Sequence, residues 1–179
     1  MNLRTLFVAC TILASAPAVL ARQAMQAPAA ATERITREVR HELIMLPYFT
    51  VFDNIAYKVN GYDVTLIGQV SRPSLKSDSE NVVKRIEGVE HVDNQIEVLP
   101  TSPMDDRLRI RLYRAIYGYP PMQKYALGVQ KPIRIIVKNG KVTLEGVVDS
   151  EGDKNIANIR ANSVSGTFGV TNNLQVVKG

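Results

Sequence analysis

The chain reads as an α+β protein made of two tandem copies of one small unit. Each unit runs helix–strand–strand–helix–strand, with two helices packed on a three-stranded sheet. Repetition at a fixed offset predicts the copies. Val64-Thr65-Leu66-Ile67-Gly68-Gln69-Val70 returns 78 residues later as Val142-Thr143-Leu144-Glu145-Gly146-Val147-Val148. Gly88 to Val98 returns at the same offset as Gly166 to Val176. The alternation of apolar residues around Asn60-Gly61 and Asn139-Gly140 predicts the strands, since Asn-Gly is a strong hairpin signal. A length of 179 residues then divides into two domains, each small enough to need an economical core.

Taken in order, residues 1–21 read as a secretory signal peptide. Arg4 supplies the positive start, Leu6 to Ala16 is apolar and uncharged, and Val19-Leu20-Ala21 offers a cleavage site near Ala21. The run is short and broken by Pro17, so no transmembrane span is expected in the mature chain. The one cysteine, Cys10, falls inside this leader. Disulfides, thiol chemistry and cysteine metal sites are therefore not expected of the mature protein. Residues 22–31 lack periodicity and read as a flexible tether.

The first domain is assigned to residues 32–100. Ile35, Val39, Leu43 and Leu46 make one apolar helical stripe. Ile55 to Val59 and Val64 to Val70 form the hairpin, Val82, Val83 and Ile86 belong to the second helix, and Gly88 stops that helix. Val92, Asn94, Ile96 and Val98 mark the third strand. Gly68 and Gly146 each take one inward slot of a strand, which predicts a close backbone approach, by a helix crossing the sheet, or a bulge.

Residues 101–103 form a short linker, and the second domain spans 104–179. Ser102, Pro103 and Asp105 predict a capped helix start, and Leu108, Leu112, Ile116 and Tyr119 repeat the apolar stripe. Strands follow at Ile133 to Val137 and Val142 to Val148. Ala157, Ala161 and Val164 mark the second helix, and Val170 to Val176 the last strand.

The stretch Pro132 to Val148, then Asp153-Lys154, the two spaced alanines and Val164 to Leu174, resembles the BON domain. Thr167 stands where valine is expected. The first copy matches more loosely, with Asp63 extending its turn. The resemblance covers nearly all of the mature chain and implies a protein of the tandem, OsmY-like periplasmic kind. It implies an exported envelope protein, periplasmic or secreted and peripheral to a membrane, linked to envelope or osmotic stress. It also implies binding to phospholipid or other envelope surfaces, with no catalytic centre and no cofactor.

The residues are consistent with that reading. His41 and His91 lie in different elements without a shared motif, so no metal site is expected. Asp105-Asp106 and Asp149-Ser150-Glu151 read as helix caps and solvated loops rather than acid–base pairs. Gly166-Thr167-Phe168-Gly169 has the glycine spacing of a KH loop, but it joins a helix to a strand, and no nucleic-acid partner is expected.

Charge separates the copies. Residues 32–100 carry eight Lys and Arg against eleven Asp and Glu, a net of −3; residues 104–179 carry twelve against six, a net of +6. The candidate surface for lipid or another anionic partner is the first helix of the second copy and the loop after it. Its residues are Arg107, Arg109, Arg111, Tyr113, Arg114, Tyr117, Lys124 and Tyr125. An alternative leaves this face merely solvated, with the tyrosines completing the core. The competing functional class is a chaperone-like module that binds envelope proteins through a sheet edge and the Tyr/Pro loop.

Overall fold

The computed structural model describes residues 29–128 and 130–177. The expected signal peptide and most of the tether lie outside the described residues. The first unit contains α1 (Ala29–Ile44), β1 (Asn54–Asn60), β2 (Asp63–Val70), α2 (Pro73–Lys84), β3 (His91–Asn94) and β4 (Glu97–Val98). The second contains α3 (Pro103–Tyr117), a 3-10 helix (Pro120–Ala126), β5 (Ile133–Lys138), β6 (Lys141–Val148), α4 (Glu151–Asn162), β7 (Gly169–Asn172) and β8 (Gln175–Val176). The fold is α+β with two small sheets, as expected. Helix α1 begins at Ala29, so the alanines at the end of the expected tether form its first turn, in line with alanine's high helix propensity.

In each sheet the middle strand pairs antiparallel with the strand before it and parallel with the two short strands after it. The expected single third strand is thus interrupted in both copies, and an asparagine makes the interruption. Asn94 donates from Nδ2 to the Lys76 carbonyl, while its Oδ1 accepts from the Ile96 N–H. Asn172 does the same with Lys154 and Leu174. The kink buries Ile96 and Leu174, each 1% exposed, beneath the helices. The asparagine in the repeated motif is therefore a strand-to-helix tie.

Each copy has its own core. Ile35, Val39, Leu43 and Leu46 face Val64, Leu66 and Val70 in the first. Leu108, Leu112 and Ile116 face Ile135, Val142 and Leu144 in the second. Full burial of each such side chain contributes roughly 1.5–3 kcal/mol. Spacing and alternation thus match the burial, but Leu46, Ile86, Tyr119 and Val164, expected on the helices, lie beyond the helix ends at Ile44, Lys84, Tyr117 and Asn162.

Two turn expectations need correction. In the first copy Asn60 pairs with Asp63, so the hairpin turns on Gly61-Tyr62, with positive φ at Gly61. In the second copy it turns on Asn139-Gly140, with positive φ at both. Asp63 is a paired strand residue, not an extension of the turn. The close approach at Gly68 and Gly146 is to a neighbouring strand's chain rather than to a helix. A Cβ on Gly68 would lie 2.1 Å from the Asn54 carbonyl oxygen, and one on Gly146 would lie 1.9 Å from that of Pro132.

The loop between α1 and β1 bridges the copies. The Ile135 N–H on edge strand β5 donates to the Val51 carbonyl at 2.8 Å, and the Arg134 guanidinium donates to the Thr50 carbonyl at 2.9 Å. Arg134 also stacks over Phe49, Phe52 meets Tyr113 of α3 edge-on, and Lys138 pairs with Glu97. Part of the second sheet's open edge is thereby covered by its own chain.

Candidate functional site

Helix α3 starts where its sequence predicts. Ser102 is the N-cap, its side chain accepting from the Asp105 N–H, and Pro103 occupies the first turn. Asp105 does more than cap: its carboxylate, nearly buried, accepts the N–H groups of Asn139 and Gly140 at 2.8 and 2.9 Å. It ties the first turn of α3 to the β5–β6 hairpin. With Leu108, Leu112 and Ile116 turned inward, Arg107, Ile110, Arg111 and Arg114 remain on the outer face and, with Asp106, line a shallow depression. Among the described residues, no carboxylate lies within salt-bridge distance of Arg107, Arg111 or Arg114. The Arg107 guanidinium touches the Met104 sulfur, and that of Arg111 lies beside Gly166.

The other candidates are placed differently. Arg109 is 5% exposed, donates to the Val137 carbonyl at 2.8 Å and pairs with Asp106. It locks α3 onto β5 and is not available to an external anion. Its spacing reveals this: Asp105, Arg109, Leu112 and Ile116 follow one another at helical intervals, so Arg109 belongs to the inner stripe. Tyr117 is buried, its hydroxyl donating to the Ile133 carbonyl at 2.6 Å and accepting from the Ile133 N–H. Burial pushes its phenol well above the ordinary tyrosine range.

Tyr125 and Lys124 both serve Asp153. The Tyr125 hydroxyl donates to the Asp153 carboxylate at 2.8 Å and accepts from the Asp149 N–H. The Lys124 ammonium bridges Asp149 and Asp153 at 2.8 and 2.9 Å, and these contacts hold it above its ordinary range. Burial raises the Asp153 carboxyl, but hydrogen bonds from Lys124, Tyr125 and Ser150 outweigh it and keep the group below its ordinary value. This network fastens the 3-10 helix to the start of α4. Tyr113 is half-buried between Phe52 and Tyr117. The tyrosines thus complete the core; of the candidate cations, Lys124 is exposed but paired, and Arg107, Arg111 and Arg114 are exposed and, among the described residues, in no salt bridge.

The stripes Ile35-Val39-Leu43 and Leu108-Leu112-Ile116 align α1 with α3 at an offset of 73. Arg107 then corresponds to Arg34, Ile110 to Arg37, Arg111 to Glu38 and Arg114 to His41. In the first copy Arg34 and Glu38 pair at 2.8 Å, and Arg34 also donates to the Glu87 carbonyl. The α1–α2 groove mixes Arg37, Glu38, His41, Glu42, Arg85 and Glu87. His41 and His91 are both exposed, and no cluster of three or more His, Cys, Asp or Glu suited to a metal occurs among the described residues.

Comparison with known proteins follows the same division. Among curated proteins none matches the chain. Solved structures that resemble it include CdsD, a structural protein of the type III secretion system of Chlamydia trachomatis. That likeness has 14% identity and a TM-score of 0.29 over 82% of this chain and 93% of that one. The CdsD C-terminal domain matches at 14% identity and a TM-score of 0.28, over 79% of this chain and 96% of that one. The BON domain model matches residues 31–100 and again residues 125–178, one stretch in each copy, and so the chain belongs to the BON-domain family.

Proposed function

We propose that this chain is a non-enzymatic, exported envelope protein whose second copy binds anionic phospholipid, or another anionic envelope surface, through Arg107, Arg111 and Arg114. BON-domain proteins are of the envelope-associated, phospholipid-binding type, which supports the general class. The observation that carries the specific reading is the exposed Arg107, Arg111 and Arg114, none of them in a salt bridge among the described residues, set where the first copy neutralises Arg34 with Glu38.

Each basic side chain near an anionic membrane contributes about 1 kcal/mol. Three then give about 3 kcal/mol, or roughly a hundredfold in affinity, reversible and weakened by salt. No helix among the described residues is long and apolar enough to cross a membrane.

Sedimentation of the purified protein with vesicles tests the reading. Binding should require anionic lipid, weaken at high salt, and vanish when the three arginines become glutamate. Binding that ignores those substitutions contradicts it. The alternative, capture of proteins through a sheet edge, is weakened at β5 because Val51 already takes the Ile135 N–H.

A further inference from the structure

We infer that Ile110 and Phe168 form an apolar wedge that enters an anionic bilayer at the acyl-chain boundary, between headgroups held by Arg107, Arg111 and Arg114. This deepens the proposed surface reading and rests on it. Single exposed apolar side chains are ordinary on a protein surface; what distinguishes these two is their placement. Phe168 is 81% exposed and Ile110 45%. Ile110 lies among Arg107, Arg111 and Arg114 on α3, and Phe168 lies two residues from Gly166, which the Arg111 guanidinium approaches.

Three contacts fix that placement. Asp105 binds the N–H groups of Asn139 and Gly140, drawing the β5–β6 turn onto the first turn of α3. The Phe168 N–H donates to the Gly140 carbonyl at 2.9 Å, and its ring covers Gly140 so closely that a Cβ there would lie 2.5 Å from it. Two residues earlier, Gly166 lies under the Arg111 guanidinium. Phe168 is thus held in the segment just before β7, against the β5–β6 turn that Asp105 ties to the start of α3.

The first copy supplies the control. Glu90 occupies the place of Phe168, 78 residues earlier, and its N–H donates to the Tyr62 carbonyl at 3.0 Å. The same backbone bond forms without an aromatic side chain, so the fold does not call for phenylalanine here. Arg37 occupies the place of Ile110. Around Arg111, therefore, the second copy carries apolar residues in place of Arg37 and Glu90, and arginines in place of Glu38 and His41. Apolar gain and positive gain at the same place match an anionic lipid–water interface, where apolar side chains enter and cationic ones stay at headgroup level. A side chain as exposed as Phe168 also suits a fluid surface, because it needs no preformed pocket in the partner.

The chain has no tryptophan, so Phe168→Trp introduces a single reporter. The probe is vesicles of equal phosphatidylglycerol and phosphatidylcholine, with and without brominated acyl chains. The wedge predicts a blue-shifted emission on binding and quenching by the brominated chains. Phe168→Ser should also weaken sedimentation about tenfold, the equivalent of about 1.4 kcal/mol of lost apolar burial, with no change in thermal stability. Sedimentation with unshifted, unquenched emission overturns the wedge and leaves the charged surface standing. Absence of sedimentation under every lipid and salt condition overturns both.

Discussion

Helices α1 and α3 bury the same stripe against the same kind of sheet, yet present opposite exteriors. On α1 an arginine and a glutamate one turn apart satisfy each other; on α3 the corresponding positions are Arg107 and Arg111, which have no carboxylate within salt-bridge distance among the described residues. Like charges at that spacing cost a few tenths of a kcal/mol. A duplicated scaffold thus separates what the fold demands from what one copy adds. Glycines, strand valines and the strand-breaking asparagines are held in common, while the outer face of α3 and the tip at Phe168 differ.

The common part predicts the largest effect. Gly68→Ala and Gly146→Ala should each cost about 3 kcal/mol or more, because both glycines hold positive φ against a carbonyl oxygen. Chemical denaturation of the two variants checks it. Comparable losses sustain the structural equivalence of the copies, and one tolerated substitution breaks it.

The differing part predicts a smaller change, in binding. Arg111→Glu gives α3 the Arg–Glu pair of α1, removing one positive charge and adding one negative. At about 1 kcal/mol each, that lowers affinity for anionic vesicles roughly thirtyfold. Thermal stability should hold or rise slightly. An unchanged affinity would mean that the face is only solvated.

Contact between the copies comes next. Phe52→Ala removes an edge-on aromatic pair with Tyr113. It should lower stability by about 1 kcal/mol, read as an earlier denaturation midpoint, while vesicle binding persists because Arg107, Arg111 and Arg114 are untouched. The smallest effect is in acid. Asp153 stands where the first copy has Leu75, 78 residues earlier. A depressed carboxyl stabilises the fold above its ordinary value of 3.8, and that stabilisation is lost as the pH falls through the lower folded value. Thermal melts of Asp153→Asn should therefore lie below those of the parent at neutral pH and converge with them at strongly acidic pH.

How much was legible follows from what each signal measures. Spacing reports which way a side chain points, so Leu108, Leu112 and Ile116 are assigned to the core correctly. Charge alone does not report burial, and so Arg109, with a carbonyl and a carboxylate waiting inside, is grouped with its exposed neighbours until its place on the inner stripe is considered. Tyr117 and Tyr125 mislead for a related reason: tyrosine suits a membrane surface and a buried hydrogen bond equally well. The third strand's interruption depends on side-chain bonds from Asn94 and Asn172 to helices eighteen residues earlier, which alternation cannot encode. Phe168 draws attention only for the glycines around it; its exposure follows from its tie to Gly140 across the hairpin, which spacing does not encode.

The central claim is that the arginine face of the second copy meets anionic lipid. Flotation of the purified protein with anionic and with zwitterionic vesicles, at low and at high salt, tests it most directly, beside the variant in which Arg107, Arg111 and Arg114 are all glutamate. The account predicts flotation of the parent protein with anionic vesicles at low salt, and none for the variant. Equal flotation of both proteins, or flotation insensitive to lipid charge, would contradict it.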